Sequence, residues 1–296
     1  MTIFDWISKF ARTGKLDVMD RFSEAVDVLT TPPRLRLGAW VRFTSLLDKN
    51  YERHIEVAKQ MGLSRLDVVI NDYSVNRDET PFRIKSMSNV VRFAQLARQS
   101  CIDVHFMSWL MPHESFIKDA VPAVSLLMRD TEASSVIWDA EEAWTQARGG
   151  LPYGKAADLL GQLWPSDLRS GVTGIRYANK SKLAPLVEVT NYAVAQCYAT
   201  GRNGYDPSTI AAKGLENWQQ RFGDVQSFDF VPGLASYGQS GIKGHTPGSA
   251  LIAAIEGAED IECHEAIFWA LDFFVASPAL QRAAAGYTRD SQEAVA

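Results

Sequence analysis

The chain has 296 residues, of which 46% are hydrophobic and 22% charged, and its formal net charge is −5. Such a length and composition are typical of a soluble globular protein with room for one large domain or two ordinary ones. The acidic balance, with no basic cluster, excludes nucleic acid as the expected partner, because no basic field is available to neutralise phosphates.

The cysteines and the N-terminus bear on the compartment. Cys101, Cys197 and Cys263 form no Cys-x-x-Cys pair, which favours buried thiols in a reducing compartment. The segment MTIFDWISKFARTGK has no uncharged core of signal-peptide length, and no apolar run is long enough to span a membrane. We therefore expect synthesis in the cytoplasm, with action on a cell wall only after release by another route.

Residues 1–33 predict an N-terminal amphipathic helical extension. Two short helices break near Gly14, and the sequence TTPPR at 30–34 ends the second. The pattern leaves three interpretations open: packing on the main domain, attachment to a membrane surface, or docking on a partner through residues 1–30.

Residues 34–296 alternate between strand and helix patterns. The predicted strands are LRLGAWVRF, RLDVVIND, IDVHFMSWL, SSVIWDAE, GVTGIRYAN, NYAVAQCYA, VQSFDFVPGL and EAIFWALDFF, and a helix pattern follows each. This alternation predicts a parallel sheet, and its length suits a (β/α)8 TIM barrel of the α/β class. A doubly wound open sheet is the alternative, but the first strand lacks the Gly-rich turn expected there.

The fourth predicted strand ends in acids, in the sequence WDAEE. Alternation places Asp139 and Glu141 on one face, with Cα atoms roughly 6–7 Å apart. Two carboxyls this close repel, which raises one pKa and lets an acid stay protonated near neutral pH for general acid catalysis. The alternative is an acidic helix N-terminus without catalytic function.

Other predicted strand ends carry aromatic, amide and acidic side chains. In a TIM barrel these ends meet at the mouth where ligands bind. Sugars present flat apolar faces and hydroxyl groups, which aromatic rings and amides suit. We predict a third catalytic acid and a set of substrate-binding residues, namely Asp72 and then Trp109, Tyr177, Asn179, Gln196, Tyr198, Asp229 and Trp269. The scattered histidines and the absence of a cofactor motif predict no metal and no cofactor.

Three short motifs give a family resemblance. The D-x-E at the end of the fourth strand, QCY on the sixth and FWALD on the eighth resemble chitinase-like glycoside hydrolases of family 18. The D-x-E strand end also resembles the family-25 lysozymes, which include phage endolysins. The resemblance implies Glu141 as general acid, Asp139 as its partner, Tyr198 holding an N-acetyl group and Trp269 beneath the sugar. The chitinase pattern has another Asp where this sequence has Ile137, and the first strand lacks the acid that family-25 lysozymes carry.

These observations lead to a functional hypothesis with two rivals. The hypothesis is a glycosidase that cleaves an N-acetylhexosamine polysaccharide, with peptidoglycan as the first choice and chitin-type oligosaccharides as the second. One rival is a non-catalytic carbohydrate-binding or assembly protein on the same barrel. The other is a barrel enzyme acting on a phosphorylated metabolite, for which the glycine-rich GQSGIKG after the seventh strand could supply a phosphate site.

Overall fold

The computed structural model describes residues 35–42, 50–71, 82–145, 150–175, 180–223 and 230–293. Its strands pair in parallel and in chain order, and the eighth closes on the first. The strands are β1 Arg36–Val41, β2 Arg65–Val69, β3 Asp103–Trp109, β4 Ser135–Asp139, β5 Arg169–Ile175, β6 Tyr192–Cys197, β7 Phe230–Ala235 and β8 Glu265–Trp269.

Helices connect these strands on the outside of the barrel. They are α1 Tyr51–Gln60, α2 Met87–Gln99, α3 Glu114–Thr131, α4 Glu142–Thr145, α5 Tyr153–Leu163, α6 Lys180–Val189, α7 Ile210–Phe222, α8 Pro247–Glu259, α9 Leu271–Val275 and α10 Pro278–Glu293. The predicted (β/α)8 TIM barrel is therefore confirmed. The predicted extension over residues 1–33 lies outside the described residues. No helix within the described ranges is long and apolar enough to cross a membrane.

Several strand boundaries differ from the sequence prediction, and two of these differences bear on the site. β4 ends at Asp139 rather than at Glu141, because helix α4 begins at Glu142. β8 ends at Trp269, and the apolar residues after it form α9 instead of continuing the strand. Alternation along the predicted strand EAIFWALDFF would place Leu271 on the face of Trp269, but Leu271 packs in the layer between strands and helices. An apolar run of this length does not distinguish a strand from a strand followed by a buried helical turn.

Alternation along the strands divides the apolar side chains between two layers. In β4, Val136 and Trp138 point outward to the helices, whereas Ile137 points into the barrel with Trp40 and Met107. Asp139 follows the parity of Ile137, so it faces the barrel interior at the C-terminal end of its strand. The apolar layers thus orient the acid toward the mouth.

A second set of polar side chains, here called the basal cluster, fills the N-terminal end of the barrel. It consists of Arg65, Asp67, His105, Ser135, Tyr192 and Glu265. Arg65 donates to both oxygens of Asp67 at 2.8 Å and to Glu265 at 2.5 Å. The ring of Tyr192 enters this layer because Gly171 faces it, and a Cβ at Gly171 would lie 2.5 Å from the ring.

Candidate functional site

Two acids lie at the mouth of the barrel, at the end of β4. Asp139 is the last residue of the strand and is buried, with 2% of its surface exposed. The backbone N–H of Glu141 donates to the Asp139 carboxyl. The Glu141 side chain accepts a hydrogen bond from the Nε2 of Gln196, which lies near the end of β6. Both acids therefore belong to one side-chain group, although the strand itself stops between them.

The electrostatics of this group follow from its burial. Burial raises the pKa of Asp139 well above its usual range, and the nearby Glu141 carboxyl raises it further. The hydrogen bond from the Glu141 backbone N–H lowers the pKa of Asp139, but this effect is weaker than the other two. Asp139 and Glu141 thus form a coupled pair that retains a proton more readily than isolated carboxyls would.

Two tyrosines lie beside the acid pair. Desolvation raises the pKa of Tyr198 well above its usual value, and the carboxyls of Glu141 and Asp139 contribute. Burial also raises the pKa of Tyr237, again with a contribution from Glu141. The rings of Tyr198 and Tyr237 meet edge to face, with centroids 5.8 Å apart. Both phenols therefore keep their protons and can donate hydrogen bonds to a ligand at the mouth.

The aromatic surface continues from Tyr237 toward β1. The ring of Tyr237 stacks on Phe273 at 5.3 Å, and the Arg42 guanidinium lies 4.8 Å from the Phe273 centroid. Arg42 also donates to both carboxylate oxygens of Asp272, the second residue of α9. The sequence prediction did not include Tyr237, Phe273 or Arg42. Side chains alternate along β7, so Tyr237, six residues after the inward-facing Val231, is also expected to face inward. This alternation could have identified Tyr237 from the sequence.

The floor of the mouth is apolar. Trp269 is half-buried at the end of β8, and its ring meets Trp40 edge to face at 5.6 Å. Trp40 reaches across the barrel to Gly233 on β7, where a Cβ would lie 2.9 Å from the indole. Ile137 belongs to the same interior cluster. The position that carries an Asp in the chitinase pattern is therefore a buried part of this floor.

The remaining predicted site residues have different positions. Trp109 ends β3, but its ring packs against the layer between strands and helices, and its backbone N–H donates to Asn71 at 2.8 Å. The side-chain amide of Asn71 donates a hydrogen bond to the Trp109 carbonyl at 3.1 Å, so this pair of residues links the ends of β2 and β3. The other predicted residues, Asp72, Tyr177, Asn179 and Asp229, lie outside the described residues.

The glycine-rich segment after β7 is tied to the segment after β6. The Gly201 N–H donates to the Gly238 carbonyl at 2.8 Å, and a Cβ at Gly201 would lie 2.1 Å from the Ser240 carbonyl oxygen. Gln239 is buried and its Nε2 donates to the Ala235 carbonyl at 2.9 Å. Within the parts of the chain that the structure describes, no group of His, Cys, Asp and Glu side chains could hold a metal ion.

Comparison with known proteins finds the same barrel fold in several solved structures. No family model and no curated protein matches the chain. Among solved structures, a GH18 chitinase from Pseudoalteromonas aurantia is similar with a TM-score of 0.58 at 11% identity, covering 86% of this chain and 99% of its own. The spore cortex-lytic enzyme SleL from Bacillus cereus also has a TM-score of 0.58, at 10% identity over 86% of this chain and 74% of its own.

A third similar structure extends the comparison to another glycoside hydrolase type. GH5_18 from Streptomyces cattleya, solved in complex with GlcNAc, has a TM-score of 0.63 at 9% identity, covering 88% of this chain and 80% of its own. At these identities the similarity establishes the barrel fold. The structural neighbours include chitinase-like and cortex-lytic barrels.

Proposed function

We propose that this chain is a glycoside hydrolase that cleaves an N-acetylhexosamine polysaccharide, with peptidoglycan as the first candidate and chitin oligosaccharides as the second. The observation that carries the proposal is the coupled pair of Asp139 and Glu141 at the mouth of the barrel. A buried carboxyl with a perturbed pKa, beside a second acid and aromatic side chains, is typical of a catalytic site. The chitinase and SleL barrels among the structural neighbours support the same class of substrate.

The proposed reaction assigns different work to the two acids. Glu141 is the general acid that protonates the glycosidic oxygen as the bond breaks. As Glu141 protonates the leaving oxygen, Asp139 passes its own proton to Glu141, and the Asp139 carboxylate stabilises the positive charge at the anomeric centre, where the acetamido oxygen of the sugar attacks in a substrate-assisted step. Water then attacks the anomeric carbon, displaces the acetamido oxygen and returns a proton to the pair of acids. Gln196 holds the Glu141 carboxyl by a hydrogen bond donated from its side-chain amide, and Tyr198 and Tyr237 supply phenol donors beside it.

The decisive experiment is reducing-end release by the purified chain from peptidoglycan and from chitin oligosaccharides, run beside Glu141→Gln. We expect the wild type to cut at least one of the two polymers and the variant to lose about a hundredfold or more of that activity. Glu114→Gln is the matched control, because Glu114 is exposed on α3 and pairs only with Lys118 among the described residues. Equal cutting by Glu141→Gln and wild type would reject the general-acid assignment.

One observation favours a second candidate, a non-catalytic carbohydrate-binding protein on the same barrel. The additional Asp of the chitinase pattern is absent, and Ile137 fills its place in the apolar floor. This candidate predicts saturable binding of either polymer without release of reducing ends. A binding measurement in the same assay therefore separates the two functions.

A further inference from the structure

Two buried polar atoms face the barrel interior on neighbouring strands without a partner. They are the Oδ1 of Asp139 at the end of β4 and the Oγ1 of Thr173 on β5, and neither has a hydrogen-bond partner among the described residues. A buried polar atom left without a bond costs free energy, so such atoms are rare in folded proteins and each needs an explanation.

The two residues are register partners. The pairing of β4 with β5 places Asp139 opposite Thr173, and neighbouring strands lie roughly 5 Å apart. Thr173 has inward parity, because Val172 packs in the outer layer while Gly171 faces the inward ring of Tyr192. Asp139 also points inward, so the hydroxyl and the carboxyl are side-by-side neighbours on the same surface.

Among the described residues, Thr173 is the hydrogen-bond donor in register with the Oδ1 of Asp139. Below Asp139 on its own strand is Ile137, which offers no hydrogen bond, and Thr173 is fully buried. The titratable groups that face Asp139 from the described elements are Glu141 and Tyr198. Glu141 is an acid that repels the Asp139 carboxylate, and Tyr198 lies on the outer side of it at the mouth. Thr173 is the register partner of Asp139 on the neighbouring strand β5.

We propose that Thr173 is a positioning residue for Asp139, and that its hydroxyl donates a hydrogen bond to the Oδ1 of Asp139 as Asp139 passes its proton to Glu141 and becomes a carboxylate during the reaction. The inference rests on the proposed function, since it assigns the partner of the same acid. A rotation about one side-chain bond converts two unpartnered atoms into one charge-assisted hydrogen bond. The raised pKa of Asp139 favours its protonated form in the resting protein, where that hydrogen bond is not required.

The test removes the hydroxyl without changing the side-chain shape. Thr173→Val should lower kcat by about tenfold with little change in KM, because a hydrogen bond to a charged group is lost in the transition state. The acid limb of the pH profile should move to higher pH, since the Asp139 carboxylate loses its donor. Thr173→Ser restores the hydroxyl and should recover most of the activity.

Thr209→Val is the matched control. Thr209 also has a buried hydroxyl without a partner in the described structure, but it precedes α7, outside the barrel interior. The control should leave kcat and the pH profile unchanged. An equal loss in both Val variants, or a Thr173→Val enzyme with wild-type kcat and pH profile, would overturn the inference while leaving the proposed function intact.

A readout without turnover separates this inference from the proposed function. Titration of the ¹³C-labelled Asp139 carboxyl by NMR, assigned with Asp139→Asn, should give a higher pKa in Thr173→Val than in the wild type. If the wild type cuts neither polymer, the proposed function fails, and this titration still decides whether Thr173 serves Asp139. Identical titration curves in both proteins would refute the contact.

Discussion

The two ends of the barrel each bury a carboxylate, but they treat it differently. At the bottom, Asp67 receives two hydrogen bonds from Arg65, which also donates to Glu265 and Tyr192. At the mouth, Asp139 lies beside a second acid and has an oxygen without a hydrogen-bond partner in the described parts of the chain. The charge of the bottom carboxylate is balanced by Arg65, whereas the described residues place no cation against the mouth carboxyl. A carboxylate paired with a cation stabilises the fold, whereas a carboxyl without a counter-charge can take part in catalysis.

The charge states at the bottom agree with this contrast. Burial alone lowers the pKa of Arg65, but Asp67, Tyr192 and Glu265 together raise it well above its ordinary value. Burial also raises the pKa of Asp67, against the opposing effect of Arg65. The two-bond geometry makes the ion pair the resting form, because both carboxylate oxygens accept from the same guanidinium.

The largest effect is expected from removing the shared cation of the basal cluster. Arg65→Met leaves Asp67 with a buried charge and no paired cation among the described residues, while Glu265 keeps Arg36 at 3.3 Å, and the variant should lower the free energy of unfolding by about 3–5 kcal/mol. Arg129→Met is the control, because the Arg129 side chain is 52% exposed and pairs with Asp167 at 3.0 Å on the surface. Urea denaturation measures both, and the control should lose little stability. Similar losses in the two variants would refute the contrast.

The mouth should respond in the opposite way. Asp139→Asn should lower glycosidase activity about a hundredfold or more, yet leave the melting temperature equal or higher. The raised pKa of Asp139 means that ionisation at neutral pH favours the unfolded chain, and asparagine removes that ionisation. Reducing-end release and thermal unfolding are the two measurements. Asp67→Asn is the comparison variant and should lose stability. A lower melting temperature in Asp139→Asn would show that the mouth acid also holds the fold together.

The sequence predicted the barrel and the grouping of several site residues because both depend on periodicity. The inward parity of Ile137 and Asp139, and of Gln196 and Trp269, follows from alternation along each strand. What periodicity could not supply was register. Asp139 and Thr173 are neighbours only because of the register in which β4 and β5 pair, and that register cannot be read from either strand alone. The end of β4 was also misplaced, because a helix starting at Glu142 competes with strand continuation.

The basal cluster shows the same limit from another direction. His105 and Ser135 are 30 positions apart in the chain, and they meet through a hydrogen bond of 2.6 Å because the register of β3 and β4 makes them neighbours. Nothing local in the sequence around His105 distinguishes it from a histidine without structural function. The functional residues predicted from motifs were therefore expected at the C-terminal ends of strands, and the basal cluster at the N-terminal end of the barrel was not predicted.

A smaller effect is expected from the pH dependence of the bottom. Burial lowers the pKa of His105 well below its usual value, and the charges of Arg65, Arg36 and Arg169 lower it further. Its contribution to stability should be complete above the unfolded pKa of about 6.5, and it should be lost as the pH falls through the lower folded value. Urea denaturation from pH 8 to pH 4.5 measures this, and His105→Asn should flatten the dependence. Parallel curves for both proteins would exclude His105 as the source.

The smallest effect is expected at the rim of the mouth, and it shows whether the aromatic surface there is held by charge. Arg42 pairs with Asp272 and lies over Phe273, but its side chain is 36% exposed. Arg42→Leu should therefore cost no more than about 1 kcal/mol of stability. If the Arg42 guanidinium fixes the stacked rings of Tyr237 and Phe273, the variant should raise KM for the polysaccharide with kcat unchanged, because only binding surface is disturbed. A fall in kcat at constant KM would instead connect the rim to the acid pair, and the separation between a binding rim and a catalytic centre would have to be abandoned.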